Sequence, residues 1–240
     1  MTRARITGIG SYLPERIVTN EDLTKIVDTS DEWIQERTGI KQRHFAAEGQ
    51  VTSDLGFEAA KKALAAAGRQ ASDIDLLVVA TTTPDLTFPS TASIIQNKLG
   101  IPVCQSFDIQ AVCSGFVYGL STVRAFIKSG QAKRALLIGA ETYSNILNFE
   151  DRTTCVLFGD GAGAAVIEAE DGDEDLAAPG IIDTAIHCAS GLTDILYVNG
   201  GVSTTKTAGH LTMEGQDVFK QAVEKMGGAV KDMLAKYQLG

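Results

Sequence analysis

Two rhythms of apolar and polar positions alternate along much of the chain. In "SDLGFEAAKKALAAAG" (Ser53–Gly68) small and apolar residues recur at helical spacing, with Ser53 placed to cap the N-terminus and Gly68 to stop the helix. "IDLLVVAT" (Ile74–Thr81) follows as a short, β-branched, unbroken apolar run, the mark of a strand buried on both faces. The alternation continues. "STASIIQNKLG" (Ser90–Gly100) predicts a capped helix with a terminal glycine, "QSFDIQ" (Gln105–Gln110) a strand, Ser114–Ser129 a helix, and "RALLIGAE" (Arg134–Glu141) a strand. Strands separated by helices need right-handed crossovers. The expected class is therefore α/β, with a mostly parallel sheet covered on both faces.

Further along the pattern changes. "CVLFGDGAGAAVIEAE" (Cys155–Glu170) and "IIDTAIHCAS" (Ile181–Ser190) predict strands near the edge of the sheet, joined through the acidic stretch "EAEDGDEDLAAPG", read as a solvated turn. The Gly/Thr-rich "GLTDILYVNGGVSTTKTAG" (Gly191–Gly209) has little periodicity and predicts a long loop or lid. "GQDVFKQAVEKMGGAVKDMLAKYQLG" (Gly215–Gly240) predicts one long helix. It looks like the Ser53–Gly68 unit again, a capped helix ending in glycine. The earlier helix leads into "IDLLVVAT", whereas the later one closes the sequence, which suggests an internal duplication.

At 240 residues and 44% hydrophobic, the chain can bury a sizeable core as one large or two small domains. A net charge of −9 argues against a broad nucleic-acid footprint but leaves room for a local basic patch facing an acidic partner. The N-terminal stretch has no apolar run of signal-peptide length, and no stretch reaches the roughly 18 apolar residues of a membrane helix. The expectation is a soluble, cytoplasmic protein that binds neither nucleic acid nor membrane. Cys104, Cys113, Cys155 and Cys188 form no C-x-x-C pair, and His44, His187 and His210 are scattered. Neither a disulfide framework nor a zinc site is expected.

The chemistry concentrates at "DIQAVCSGFVYGL". Cys113 stands between a strand and a helix, where unpaired helix N–H groups and the macrodipole favour an anion, so a thiolate is favoured there. Gly115 lets another group approach the backbone, and the Cys113 N–H can help to bind an oxyanion. The competing reading is a small buried hydrophobe, the usual state of a free cysteine. Cys104, Cys155 and Cys188 lie in or at the start of apolar stretches and read as core residues. "GDGAGA" (Gly159–Ala164) precedes a strand where a phosphate-binding turn should open a helix, so its glycines read as close backbone approach. Trp33, the only tryptophan, lies in "TSDEWIQERTGI", where Thr29 and Glu32 have capping-box spacing. It reads either as the core anchor of a short helix or, with Arg37, as the holder of a flat base and a phosphate.

"GIGSYLPERIVTNEDL", "SDEWIQERTGIKQRH", "TTTPDLTFPSTA", "DIQAVCSGFVYGL", "DRTTCVLFGDGAGAAV" and "HLTMEGQDVFKQAV" together resemble β-ketoacyl-acyl carrier protein synthase III, over essentially the whole chain and in order. The resemblance implies a thiolase-like αβαβα layered sandwich of two duplicated halves. Residues 1–190 would be the complete N-terminal half with its edge strands, and 191–240 a loop plus the first helix of an incomplete second half. It implies that Cys113 takes an acetyl or other short acyl group from acyl-CoA, after which malonyl-acyl carrier protein is decarboxylated and its carbanion attacks the thioester. No cofactor is implied beyond the CoA thioester substrate.

The same resemblance puts the CoA adenine between Trp33 and Arg152, with Thr29 and Arg37 close by, and Gly215 and Phe219 beside the pantetheine. Phe158, Leu211 and Met213 would line the acyl pocket, Phe88 would reach into the partner's pocket across a homodimer, and Lys220 would help to dock the carrier protein. The family's histidine and asparagine stretches do not occur within the 240 residues. The expectation is thus that this chain by itself is impaired in condensation and exposes apolar surface. The alternatives are another acyl-CoA condensing starter enzyme of polyketide or signal synthesis, a hydrolase using Cys113, and a non-catalytic acyl-CoA or carrier-protein binding fragment.

Overall fold

The computed structural model describes residues 2–172 and 176–239. In chain order its elements are β1 (Thr2–Tyr12), β2 (Arg16–Thr19), α1 (Asn20–Thr24), α2 (Asp31–Thr38), β3 (Gln42–Phe45), α3 (Thr52–Ala67), β4 (Leu76–Ala80) and α4 (Thr91–Leu99). There follow β5 (Gln105–Ile109), α5 (Gly115–Lys128), β6 (Arg134–Thr142), α6 (Arg152–Cys155), β7 (Asp160–Asp171), β8 (Leu196–Val198), β9 (Leu211–Met213) and α7 (Gly215–Lys236). The chain divides into two compact units.

The first unit comprises Met1–Ile17, His44–Thr142 and Gly159–Ile186. Its centre is a five-stranded sheet of order β1-β7-β6-β4-β5, in which β4 pairs parallel with β5 and β6 while β7 runs antiparallel between β6 and β1. The unbroken run Leu76–Ala80 is buried at every position, because the two alternating sets of side chains both find cover. Leu77, Val79, Leu136 and Ile138 pack on one face with Ala59, Ala63 and Ile95 of α3 and α4. Leu76, Val78 and Leu137 pack on the other with Val123 and Ile127 of α5.

Close approach of α3 to β1 depends on absent side chains. A Cβ at Gly8 would lie 2.4 Å from the Ala63 carbonyl oxygen, and one at Gly10 would lie 2.3 Å from that of Ala59. The alanine-rich sequence of α3 follows from this fit, since small residues are needed where helix backbone meets strand backbone. Gly119 does the same beneath α5, where a Cβ would fall 2.4 Å from Leu137 Cδ1.

The second unit comprises Val18–Arg43, Tyr143–Phe158 and His187–Gly240. Leu23 and Ile34 are fully buried in it. Buried Asn20 ties α1 to the segments around it by donating to Asp31 Oδ1 (2.8 Å) and to the Ile40 carbonyl (2.7 Å). Arg43 is also buried and donates to the Val18 and Val156 carbonyls. The hairpin β8–β9 precedes α7, a 22-residue helix of which no residue is buried.

Several expectations change. The N-cap of α3 is Val51, whose N–H is held by Asp54; Ser53 lies within the first turn, and its Oγ accepts from Lys98 instead. β7 does lie near the edge, second from it, with β1 pairing along its outer side. β1 itself is not apparent from the apolar rhythm, since Arg3 and Arg5 interrupt it; both pair with Glu170 on β7. Residues 181–190 form no strand: Arg124 holds the Ile181 and Ile182 carbonyls at 3.1 and 2.6 Å, so a side chain takes the place of a ladder. Of the acidic turn, residues 173–175 lie outside the described residues, as does Gly240 at the end of the last predicted helix. α7 stops at Lys236, without a glycine cap. Among the described residues no helix is long and apolar enough to cross a membrane.

Candidate active site

Cys113 occupies a single turn of 3₁₀ helix, Val112–Ser114, between β5 and α5. Gly115 opens α5 directly over Ala80, the last residue of β4, where an added Cβ would sit 3.1 Å from the Ala80 side chain. The turn therefore lies at the carboxyl ends of the parallel strands, the usual location of sites in open α/β sheets. Val112 adopts φ 49°, the left-handed region, which is costly for a β-branched residue and marks backbone held by its surroundings. The Ser114 N–H donates to the Ala111 carbonyl (3.1 Å) and the Gly115 N–H to that of Val112, while the Cys113 N–H takes part in neither bond.

Cys113 is exposed, as a nucleophile must be. Cys155 is buried and Cys104 half-buried against the core, and burial pushes both thiols up. Cys188, expected in the core, is exposed, because residues 181–190 join no sheet. Among the described residues no group of three or more His, Cys, Asp or Glu could hold a metal ion.

In the second unit, Trp33, Arg37 and Arg152 come together. The Arg37 and Arg152 guanidinium carbons lie 4.5 and 5.0 Å from the Trp33 ring centroid. Trp33 is only partly buried, so it is not a core anchor; Ile34 beside it is. Ser30, not Thr29, caps α2 by accepting from the Trp33 N–H, and Thr29 Oγ1 is buried without a hydrogen-bond partner among the described residues. Arg152 also donates to the Asp28 carbonyl at 2.9 Å. A base stacked between Trp33 and Arg152 needs roughly 7 Å, two contacts of about 3.5 Å each. At 5.0 Å, Arg152 occupies that space itself.

Elsewhere in the same unit, Phe158 stacks on Tyr143 with centroids 5.2 Å apart. Leu211 is buried and Met213 half-buried on β9, which packs against α6. Gly215 opens α7 beside Met213, and Phe219 and Lys220 are exposed on its first turns. Lys220 lies 3.5 Å from Asp217, a surface pair that leaves its charge largely available. Phe88, on the first unit, is 82% exposed.

Sequence reading missed one cluster. Glu141, at the end of β6, accepts from the Thr82 N–H (2.8 Å), Thr82 Oγ1 (3.0 Å) and Thr83 Oγ1 (2.6 Å). Burial pushes its carboxyl up, against the opposing effect of these bonds. The available signal was an acid terminating an otherwise apolar strand, matched by "TTT" terminating its neighbour.

This geometry, an exposed thiol on a strained strand–helix turn at the strand ends of a two-faced α/β sheet, is that of an α/β protein with a candidate cysteine nucleophile. The family model for 3-oxoacyl-[acyl-carrier-protein (ACP)] synthase III matches residues 107–190, which include Cys113. A β-ketoacyl-[acyl-carrier-protein] synthase III of Rhodospirillum centenum is 59% identical over 233 residues, 97% of this chain and 72% of that protein. The crystal structure of 3-oxoacyl-[acyl-carrier-protein] synthase III from Aquifex aeolicus matches with a TM-score of 0.89 at 43% identity, over 98% of this chain and 72% of that one. The corresponding structure from Pseudomonas aeruginosa gives a TM-score of 0.90 at 38% identity, over 99% and 72%. The chain belongs to the β-ketoacyl-acyl carrier protein synthase III family. These likenesses do not bear out the expectation of impaired condensation.

Proposed function

We propose that this acyltransferase carries out its family's condensation through an acyl-Cys113 thioester. Cys113 Sγ attacks the carbonyl of a short acyl-CoA, acetyl-CoA above all; the carbonyl–sulfur bond to CoA breaks, and CoA leaves as its thiol with the proton. Malonyl-acyl carrier protein then loses carbon dioxide. The electron pair of the broken carbon–carbon bond becomes a carbanion that attacks the acyl carbon and releases Cys113. The product is β-ketoacyl-acyl carrier protein, the first intermediate of fatty acid synthesis. No resident cofactor enters these steps.

The observation that carries this reading is the exposed Cys113 at the carboxyl ends of the parallel strands, on a turn whose backbone leaves its N–H outside the two bonds that close it. Trp33, Arg37, Arg152 and Thr29 would receive the adenine end of CoA, and Gly215 and Phe219 the pantetheine. Phe158, Leu211 and Met213 would line the acyl pocket, with Phe88 supplied by the partner in a homodimer. Lys220 would help to dock the acidic carrier protein. We place the enzyme in the cytoplasm and take 191–240 as the loop and opening helix of the family's second half.

The test is intact mass after incubation with acetyl-CoA. The parent chain is expected to gain one acetyl group and a Cys113→Ala variant none; a gain that persists in the variant removes the nucleophile. Since Trp33 is the only tryptophan, its emission reports the adenine site directly. CoA is expected to shift that emission as Arg152 leaves the ring, and an unchanged spectrum at saturating CoA counts against the Trp33 assignment.

A further inference from the structure

The loop from Thr81 to Ser90, which carries Phe88, is fixed at its two ends. At its far end Ser90 caps α4 by accepting from the Ser93 N–H (3.2 Å), and Asp108 accepts from the Thr91 N–H (2.7 Å). At its near end Glu141 gathers Thr82 and Thr83, the Thr81 N–H donates to the Ile109 carbonyl (3.2 Å), and Asp85 accepts from the Ser53 N–H (2.8 Å). Glu141 lies on the α5 face of the sheet, in line with Leu137 and Gly139, which face Gly119 and Phe116 of that helix. It thus projects where α5 begins, on the side of the sheet that carries the Cys113 turn. There it accepts hydrogen bonds from Thr82 and Thr83.

Burying a carboxylate costs free energy, and an apolar residue would pack β6 at lower cost. Four convergent acceptor positions, in contrast, can fix the conformation of consecutive residues. Thr83 relays the constraint. Its Oγ1 accepts from the Thr142 N–H at 2.9 Å and donates to Glu141, and its carbonyl accepts from Thr52 Oγ1 at 2.6 Å. Two residues on, Asp85 accepts from the Ser53 N–H of α3 at 2.8 Å, and from there the chain turns outward to Phe88, 82% exposed.

We infer that Glu141 is a positioning residue that sets the presentation of Phe88, and through it the acyl-chain selectivity of the enzyme. The inference rests on the reading above that Phe88 borders the acyl pocket across the homodimer. An amide in place of the carboxylate satisfies the cluster poorly in either orientation. With its nitrogen toward Thr83, the Thr83 hydroxyl proton loses its 2.6 Å acceptor and is left with Thr52 Oγ1 at 3.4 Å. With its nitrogen toward Thr82, two N–H donors face one another.

The experiment measures rates of Cys113 acylation by acetyl-CoA and by hexanoyl-CoA, using intact mass, and takes their ratio. Phe88→Ala is expected to move the ratio by about tenfold. Glu141→Gln and Thr83→Val are expected to move it in the same direction, Thr83→Ser to restore it, and Glu141→Gln in the Phe88→Ala background to add nothing further. If Phe88→Ala moves the ratio while Glu141→Gln and Thr83→Val leave it within about twofold, the positioning role is wrong and the Phe88 reading stands. If Phe88→Ala itself leaves the ratio unmoved, the Phe88 reading fails and takes the inference with it. Full additivity in the double variant, or a Thr83→Ser chain that behaves like Thr83→Val, also overturns it. Should Glu141→Gln fold poorly, the Thr83 pair carries the test. Absence of acylation in the parent chain removes the acyl-Cys113 reading on which both rest.

Discussion

Helices α3 and α7 are written in similar amphipathic script and end in different surroundings. In α3, Leu55, Ala59, Ala60, Ala63 and Leu64 are buried. In α7, Phe219, Val223, Met226 and Val230 recur at helical spacing and are exposed by 58–69%. The difference lies outside the helices. α3 rests on strand residues that have no side chain to hold it off, and its own contacting residues are alanines. α7 carries two adjacent glycines, Gly227 and Gly228, at which an added Cβ would meet nothing within 4 Å. Periodicity therefore declares which face of a helix is apolar; whether that face is covered depends on residues distant in sequence.

The comparison breaks most readily at Gly8. An alanine Cβ there would lie 2.4 Å from the Ala63 carbonyl oxygen and 2.5 Å from the Ala67 nitrogen, both backbone atoms that cannot rotate aside. Gly8→Ala is expected to destabilise the chain by about 3 kcal/mol, or roughly 10 °C in melting temperature for a chain of this size. A melting temperature unchanged from the parent would mean that α3 is not seated as described. On α7 the same substitution should have the opposite sign. Gly227→Ala meets open space in a helix interior, so it should gain about 0.5–1 kcal/mol through reduced backbone entropy. A loss on urea denaturation would show instead that this face of α7 is packed.

What the sequence disclosed follows the same division. β4, β5, β6, α4 and α5 were legible because their patterns are local: unbroken apolar strands, a serine cap, a closing glycine. β1 was not, because charges interrupt it and are satisfied only by Glu170 at the other end of the sheet's sequence span. The false strand at 181–190 has the opposite cause, since its apolar residues match the period but Arg124 takes the backbone carbonyls a neighbour would need. At the site, Cys113 was legible from the strand–helix junction. Glu141 was not, because a half-buried acid acquires meaning only once Thr82 and Thr83 are brought to it from the loop after β4. For Trp33 the local pattern could not show its second neighbour, since Arg152, remote in sequence, comes over the ring only in the fold.

The smallest expected effect concerns how α3 is started without a serine or threonine cap. Asp54 substitutes for one: its carboxylate accepts from the Val51 N–H at 3.0 Å and from Lys98 Nζ at 2.6 Å. Partial burial pushes the Asp54 carboxyl up, but the Lys98 and Val51 bonds outweigh it, and the net shift is downward. A carboxyl depressed in the folded state binds fewer protons there than in the unfolded chain. Its contribution is thus fully present above the ordinary aspartate value of about 3.9 and is lost as pH falls through the folded value. Both partners are partly exposed, so the contribution is under about 1 kcal/mol and is screened by salt. Asp54→Asn should therefore lower the urea midpoint slightly at neutral pH, and the gap between variant and parent should close below about pH 3.9. A gap that stays constant from neutral to acid pH would mean that Asp54 acts only through its shape, and that the start of α3 owes its stability to the seat on β1 alone.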